Sequence, residues 1–456
     1  MSKLPPGPLV AYYGDDFTGS TDVMEVLSFA GLPTVLFLDT PAPADLEAFP
    51  GARAIGIAGT ARSRSPEWMR HHLPPLLRTL SNMGTPVLHY KICSTFDSGP
   101  SIGSIGCALE IGLAETEREW CAMLVAAPAL RRYQAFGNLF AGVDGVAYRL
   151  DRHPTMAHHP VTPMAEADLR RHLAKQTELP VGLVDLVALQ GGRGAAALAA
   201  ARAAGNRAVL FDAIDDATLA EAGRLIWQAR GDGLFAVASS GLEYALVAHW
   251  RAAGLLPPAA APAAAAPVVA APVGRLLTVS GSCSPGTAAQ IGYAVGRGAV
   301  PVRLDVLAAA DPARAAAETA RAITVAAAAL AAGRDAVVFS AEGPQDPAIA
   351  ALRDAAGRLG LEVAQRAVAV MLGEVLAALV ERCGLTRVLV AGGDTSGEAT
   401  GRLGVYALEA VAPLAPGGPL CRAHRRGRSP IEIVLKGGQI GGADFCDVVK
   451  RGRPAD

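Results

Sequence analysis

Arg387-Val388-Leu389-Val390-Ala391-Gly392-Gly393-Asp394-Thr395-Ser396-Gly397 joins an apolar run to two glycines and three capping residues. The apolar run reads as a buried strand. The glycines let the backbone turn tightly and approach a ligand closely. Asp394, Thr395 and Ser396 are each suited to cap a helix, expected from Glu398 to Leu408. A strand, a Gly-rich turn and a helix N-terminus make an anion site, because unpaired N–H groups and the helix dipole both favour negative charge. There is no G-x-x-x-x-G-K-[ST] run, so this is not a Walker-type loop. Taken alone, a plain turn is the commoner explanation.

Two more loops of the same kind stand in this half of the chain. Leu276 to Val279 reads as a strand and leads through Ser280-Gly281-Ser282-Cys283-Ser284 into a helix from Thr287 to Arg297. Ile431 to Leu435 is a strand followed by Lys436-Gly437-Gly438-Gln439-Ile440-Gly441-Gly442. Three Gly/Ser loops at strand ends exceed chance and point to a bound nucleotide. Further strands are expected at Val300 to Leu304 and Ala336 to Phe339, with an Ala-rich helix over 312–332.

Upstream, Pro257 to Pro272 is almost wholly Ala and Pro, which prevents a regular helix and marks a semi-stiff linker. The expected organisation is therefore a domain over 1–256, a linker over 257–273 and a second domain over 274–456. The first domain opens with the strand Leu9 to Tyr13, then Gly14-Asp15-Asp16-Phe17-Thr18-Gly19 and an amphipathic helix that stops at Gly31. Strands at Thr34–Leu38, Ala54–Ala58, Val87–Ile92 and Met123–Ala126 keep the alternating rhythm of an α/β fold with a largely parallel sheet flanked by helices. Ligands in such sheets sit beyond the carboxyl ends of the strands. Asp15, Asp16, Thr60 and Arg64 fall at those ends, although an Asp there also serves as an ordinary cap. Lys91 precedes Cys93-Ser94-Thr95-Phe96-Asp97-Ser98. A Lys for a carboxylate, with an Asp and hydroxyls for a polyol, suits a sugar acid; a Lys–Asp pair closing a loop is the plainer alternative. His153, His158 and His159 lack a carboxylate or Cys at ligand spacing, so no metal ligand is assigned.

The 456 residues carry a formal net charge of -1, which offers no surface for nucleic acid or membrane. The N-terminal stretch lacks the pattern of a signal peptide, and seven scattered cysteines fit free thiols in a cytoplasmic protein.

As an ordered set, Gly14–Gly19, Lys91–Ser98, His159-Pro160-Val161-Thr162-Pro163-Met164, Ser280–Ser282, Ala391–Gly397 and Lys436–Gly438 resemble the four-carbon acid sugar kinase family over almost the whole chain. The resemblance implies an acid-sugar domain followed by a nucleotide-binding domain, a cleft between them, and ATP with Mg²⁺ phosphorylating a terminal hydroxyl. It implies Asp16 or Asp97 as base or positioner, with Asp15, Arg64, Lys91, Ser94, Thr95 and His159 around the acid. It implies ATP against Ser280, Ser282, Gly392, Gly393, Asp394, Thr395, Lys436, Gly437 and Gly438. The Cys-Ser-Thr-Phe-Asp-Ser version is similar to the 3-oxo-tetronate branch. Two departures, Ser104 for an expected Asn and Arg62 for an expected Glu, leave room for 3-oxo-isoapionate, threonate or erythronate. A homodimer is the expected assembly. A sugar-acid or nucleotide-binding protein without turnover is the rival of another class. A dinucleotide enzyme is disfavoured, because no G-x-G-x-x-G follows the first strand.

Overall fold

The computed structural model describes residues 3–143, 145–159, 161–258, 268–356 and 360–454, with the backbone alone at 310, 312, 362 and 394. It divides into two compact units, Met1–Ala265 and Ala266–Asp456. Of the expected linker, residues 259–267 lie outside the described residues. Its far end is held by the second unit: Ala270 N–H donates to Gly452 O at 2.8 Å and Val273 N–H to Lys450 O at 3.0 Å.

The first unit carries β1 (Val10–Gly14), β2 (Thr34–Phe37), β3 (Ala54–Ala58), β4 (Val87–Lys91), β5 (Cys121–Met123), β6 (Arg132–Ala135), β7 (Asn138–Val143), β8 (Val146–Arg149), β9 (Val181–Val184), β10 (Ala208–Phe211) and β11 (Leu234–Ala238). The main sheet runs β2-β3-β1-β4-β11-β5-β10-β9, with every pairing parallel. β1, β3, β4 and β11 are buried along their whole length, as a parallel sheet covered on both faces requires. β5 lies two residues earlier than Met123–Ala126: Leu124 and Val125 have left the ladder to receive Ser239, through its N–H (3.1 Å) and its hydroxyl (2.8 Å). β6, β7 and β8 form a separate antiparallel sheet, which the sequence pattern did not signal.

The second unit carries β12 (Leu277–Ser280), β13 (Val300–Arg303), β14 (Ala336–Phe339), β15 (Arg387–Ala391), β16 (Val405–Ala412), β17 (Leu420–Arg425) and β18 (Arg428–Lys436). Its sheet runs β13-β14-β12-β15-β18-β17-β16, parallel as far as β18 and antiparallel beyond. The helix expected from Glu398 to Leu408 is corrected: it spans Gly393–Arg402, and Leu408 lies in β16. Gly404, at φ +68°, breaks the helix where no side-chain residue turns easily, and the strand begins one residue on. The helix Leu361–Cys383 contains a stretch, Val363–Cys383, long and apolar enough to cross a membrane, and 56% of it is buried within the unit. It packs on the helix Gly393–Arg402, where a Cβ on Gly373 would lie 3.2 Å from Glu398 O.

Candidate active site

In the first unit, three neighbouring strands end together: Gly14 of β1 pairs with Ala58 of β3 and with Lys91 of β4. The residues just beyond them are therefore neighbours by backbone register. Asp16 caps the helix Phe17–Phe29, accepting from Gly19 N–H at 3.1 Å and from the Thr18 hydroxyl at 2.9 Å. Gly19 has to be small, since a Cβ there would lie 2.2 Å from Asp16 Oδ1 and 3.1 Å from Lys91 Nζ. Arg62 donates to Asp15 through Nη2 (2.6 Å) and Nε (3.3 Å), and the same Nη2 lies 2.7 Å from Asp16 Oδ1. Lys91, buried to 2% exposure, reaches Asp22 Oδ2 at 3.6 Å. Three carboxylates thus share two cations.

Their environments separate them. Burial pushes the Asp15 carboxyl up, against the pull of Arg62. Burial also raises Asp22, against Lys91. At Asp16 burial pushes up too, but Arg62 and Lys91 together outweigh it and hold the carboxyl below its usual value. Asp16 is the member whose carboxyl is held below its usual value, and it keeps a quarter of its side chain open, as Asp22 does.

The loop after β4 adds a fourth carboxylate. Thr95 donates to Asp97 Oδ1 at 2.7 Å, so the Cys93 thiol, 2.9 Å from Thr95 Oγ1, is the donor to that oxygen. Burial, with Asp97 beside it, raises the thiol to about 11, which keeps it protonated. Ser94 is half-buried in the same turn. Arg132 of β6 lies within electrostatic reach of Cys93 and Asp97. Its Nη1 donates to Leu130 O (3.0 Å) and Gly142 O (3.3 Å), and its buried Nε has no partner.

Arg64 is placed elsewhere: its guanidinium lies 5.5 Å from the Trp68 ring centre. His159 Nδ1 accepts from Thr162 N–H at 3.1 Å. Ser104 caps the helix Ile105–Thr116, accepting from Cys107 N–H at 3.1 Å, and is 1% exposed. Its hydroxyl holds a helix end in place rather than facing a ligand. Asp22 and Arg132 are the site residues that sequence reading did not place. Arg62, two positions before the chosen Arg64, was noted there only as a departure, while Arg132 belongs to the unsignalled sheet.

In the second unit, the ends of β12, β15 and β18 are adjacent in register, Ser280 with Ala391 and Ala391 with Lys436. Their loops converge. Gly281 N–H donates to Ala391 O (3.0 Å), and Gly392 N–H to Lys436 O (2.9 Å). Ser284 Oγ donates to Gly438 O at 2.6 Å. Gly392 adopts φ +115°, where a Cβ would also lie 3.3 Å from Ser282 N. Gln290 Nε2 reaches three carbonyls of the last loop, Ile440, Gly441 and Gly442, at 2.9–3.1 Å. Gly393 is the first residue of its helix, and the side chain of Asp394 lies outside the described residues. Against these loops opens a cavity of about 150 Å³. Gly281, Cys283 and Thr395 line its loop side, and Val306, Ile349 and Leu352 are among its apolar walls. An apolar slot ending in small-residue loops and two helix N-termini suits a flat base with an anionic tail. Among the described residues, no three His, Cys, Asp or Glu side chains gather as a metal site.

Two family models match the chain in this order: the sugar-binding N-terminal domain over residues 10–246 and the nucleotide-binding C-terminal domain over 277–446. The chain belongs to the four-carbon acid sugar kinase family. The resemblance drawn from the motifs is borne out. A Paraburkholderia graminis protein named 3-oxo-isoapionate kinase is 53% identical over 99% of this chain and 96% of its own. A Cupriavidus necator 3-oxo-tetronate kinase is 32% identical, over 97% of each. A crystal structure from Salmonella typhimurium superposes with a TM-score of 0.77 at 27% identity, covering 97% of this chain and 98% of that one.

The tightest point of the family member's second site gives a first expectation. A Cβ on Gly281 would lie 2.1 Å from Thr395 Oγ1, so Gly281→Ala forces two of the three loops apart. ATP affinity is expected to fall by at least about tenfold, roughly one misplaced hydrogen bond. Calorimetric titration with ATP checks it, against an unchanged melting temperature.

Proposed function

We propose that this kinase transfers the γ-phosphoryl group of ATP to a hydroxyl of a branched 3-oxo sugar acid, 3-oxo-isoapionate. The observation that carries the substrate is the 53% identity to the protein of that name, against 32% for the 3-oxo-tetronate kinase from Cupriavidus necator. The unit up to about residue 256 takes the acid, and the unit from about residue 274 takes ATP. Ser280, Ser282, Gly392, Gly393, Thr395, Gly437 and Gly438 surround the phosphates with Lys436 beneath them, and the apolar cavity takes the adenine. Mg²⁺ arrives on the nucleotide and is held mainly by phosphate oxygens and water; it supplies charge neutralisation.

In the first unit Lys91 and Arg62 attract the substrate carboxylate. Asp16, ionised and open, accepts a hydrogen bond from the hydroxyl that reacts; Asp97, fixed by Thr95, orients a second hydroxyl. The hydroxyl oxygen forms a bond to the γ-phosphorus, the bond to the bridging oxygen of ADP breaks, and the proton passes to Asp16. Alignment and charge neutralisation supply most of the rate in such transfers.

An ADP-release assay with ATP, Mg²⁺ and a panel of acids tests the reading. Turnover is expected to be highest, by kcat/KM, with 3-oxo-isoapionate. A higher value with a 3-oxo-tetronate, threonate or erythronate reassigns the substrate. No turnover with any of them in protein that binds ATP defeats the sugar-acid reading.

A further inference from the structure

Beneath the 280–284 loop lies a cation that pairs with no carboxylate among the described residues. Lys436, at the end of β18, is fully buried, and its Nζ donates to Thr287 Oγ1 (3.1 Å) and Gly437 O (3.0 Å). The titratable group facing it is Cys446, whose thiol burial raises to about 11, so that it is neutral. The acids beyond Cys446 are engaged elsewhere: Asp447 with Arg297 (3.7 Å) and Asp335 with Lys450 (2.9 Å).

An ammonium can only donate, and this sets the direction of the Thr287 hydroxyl above it. Thr287 Oγ1 accepts from Lys436, so its own O–H points away from the ammonium, towards Ser282 Oγ at 3.1 Å and Ser284 Oγ at 3.0 Å. Ser284 has one proton and gives it to Gly438 O, the 2.6 Å contact, while its oxygen accepts from Thr287 N–H at 3.1 Å. Ser282 thus has its oxygen filled from below. Its proton has only Ser284 Oγ at 3.4 Å, a long contact, and Ser282 is partly exposed.

We propose that Lys436 is a positioning residue for the nucleotide: from below the loop its ammonium orients Thr287 and Ser282, so that Ser282 presents its O–H to a phosphate oxygen of ATP. This rests on reading residues 280–284 as part of the nucleotide site. Lys436 acts through the relay and does not touch the phosphate. A neutral amine keeps two N–H groups but gains a lone pair, so it can accept from Thr287 and let the relay reverse, which leaves an oxygen lone pair of Ser282 against the phosphate. Burial lowers Lys436 to about 8, which places that reversal just above neutrality. The sign follows. Bound phosphate favours the charged ammonium, so binding takes up a proton above pH 8 and affinity falls as pH rises through that value.

Calorimetric titration of the full chain with ATP and with adenosine, at pH 7 and pH 9, tests this. Thr287→Val keeps the shape and removes the relay, and Thr287→Ser restores the hydroxyl. At pH 7, Thr287→Val and Lys436→Met are expected to bind ATP about tenfold more weakly, the worth of one hydrogen bond to a charged group. Adenosine binding stays unchanged, the loss of affinity at pH 9 disappears, and Thr287→Ser behaves as the native chain. Wild-type ATP affinity and pH dependence in Thr287→Val overturn the proposal, whether or not Lys436→Met folds. Ser282→Ala separates the two readings. If it weakens ATP binding while Thr287→Val does not, only the relay fails. If neither changes ATP binding, the nucleotide reading of this loop fails with it.

Discussion

Asp16→Asn is expected to lower kcat by about 10²–10⁴-fold, the usual contribution of a positioned base, with the melting temperature nearly unchanged. Asn caps a helix as well as Asp does, so its side-chain oxygen still receives the Gly19 N–H that Asp16 accepts at 3.1 Å. What disappears is the charge. Asp16 differs from Asp15 and Asp22 in the direction of its shift: burial pushes its carboxyl up, but Arg62 and Lys91 pull it below the usual range. The native activity should therefore persist into mildly acid solution, without an acid limb near the ordinary carboxylate value of about 4. Rate measurements by ADP release, with thermal melts on the same samples, decide it. Full activity in Asp16→Asn removes Asp16 as the base and passes the role to Asp97.

Arg62→Ala is expected to destabilise the first unit by about 3 kcal/mol, because it strands a buried carboxylate. Asp15 is 2% exposed, and Arg62 holds both its oxygens, at 2.6 and 3.3 Å. The loss should depend on pH in a definite sense. Burial already raises Asp15 in the folded chain, and removing the guanidinium raises it further. A raised carboxyl favours folding while it is protonated, below the unfolded value of about 4, and loses that advantage as pH climbs through the folded value. The gap in melting temperature between native and Arg62→Ala chains should be small at pH 4 and widen towards pH 8. An equal gap at both ends would show that the pair carries no buried charge. Arg64→Ala, by contrast, loses a half-exposed contact with Trp68 worth about 0.5–1 kcal/mol.

The strand ends were legible because their signal is local. An apolar run followed by small and acidic residues says strand and turn within ten positions, whether at Gly14-Asp15-Asp16 or at Gly392-Gly393. The family followed from the order of such stretches. What stayed hidden is built from distant pieces. The walls of the apolar cavity come from Val306, Ile349, Leu352 and Val368, in segments separated by strands and loops, and no window along the chain joins them. Arg62 and Arg64 are chemically identical in sequence; only the 3₁₀ turn at Ala61–Ser63 turns one towards Asp15 and leaves the other on Trp68. The departure at Ser104 looked like a change of ligand contact, yet Ser and Asn are both N-cap residues, and the cap is the role it fills. The β16 strand was misread as helix because capping residues at 394–396 start a helix plainly, whereas its end rests on one glycine, Gly404.

The register of the second sheet bears on when this protein can first hold a nucleotide. Ser280, Ala391 and Lys436 are neighbours across β12, β15 and β18 although 156 residues separate the first from the last. None of the three loops is held by its own segment alone: the first leans on Ala391, the second on Lys436, and Ser284 on Gly438. During synthesis, the chain up to residue 435 has a first loop that leans on Ala391 but lacks what holds the second loop and Ser284. Protein-borne ATP can appear only after Lys436-Gly437-Gly438 has left the ribosome and entered the sheet, a late, long-range closure of the kind that folds slowly. The sugar-acid cluster draws its side chains from the first third of the chain, yet β4 beneath it is held on its far side by β11, and Ile92 N–H by Ala238 O at 2.8 Å.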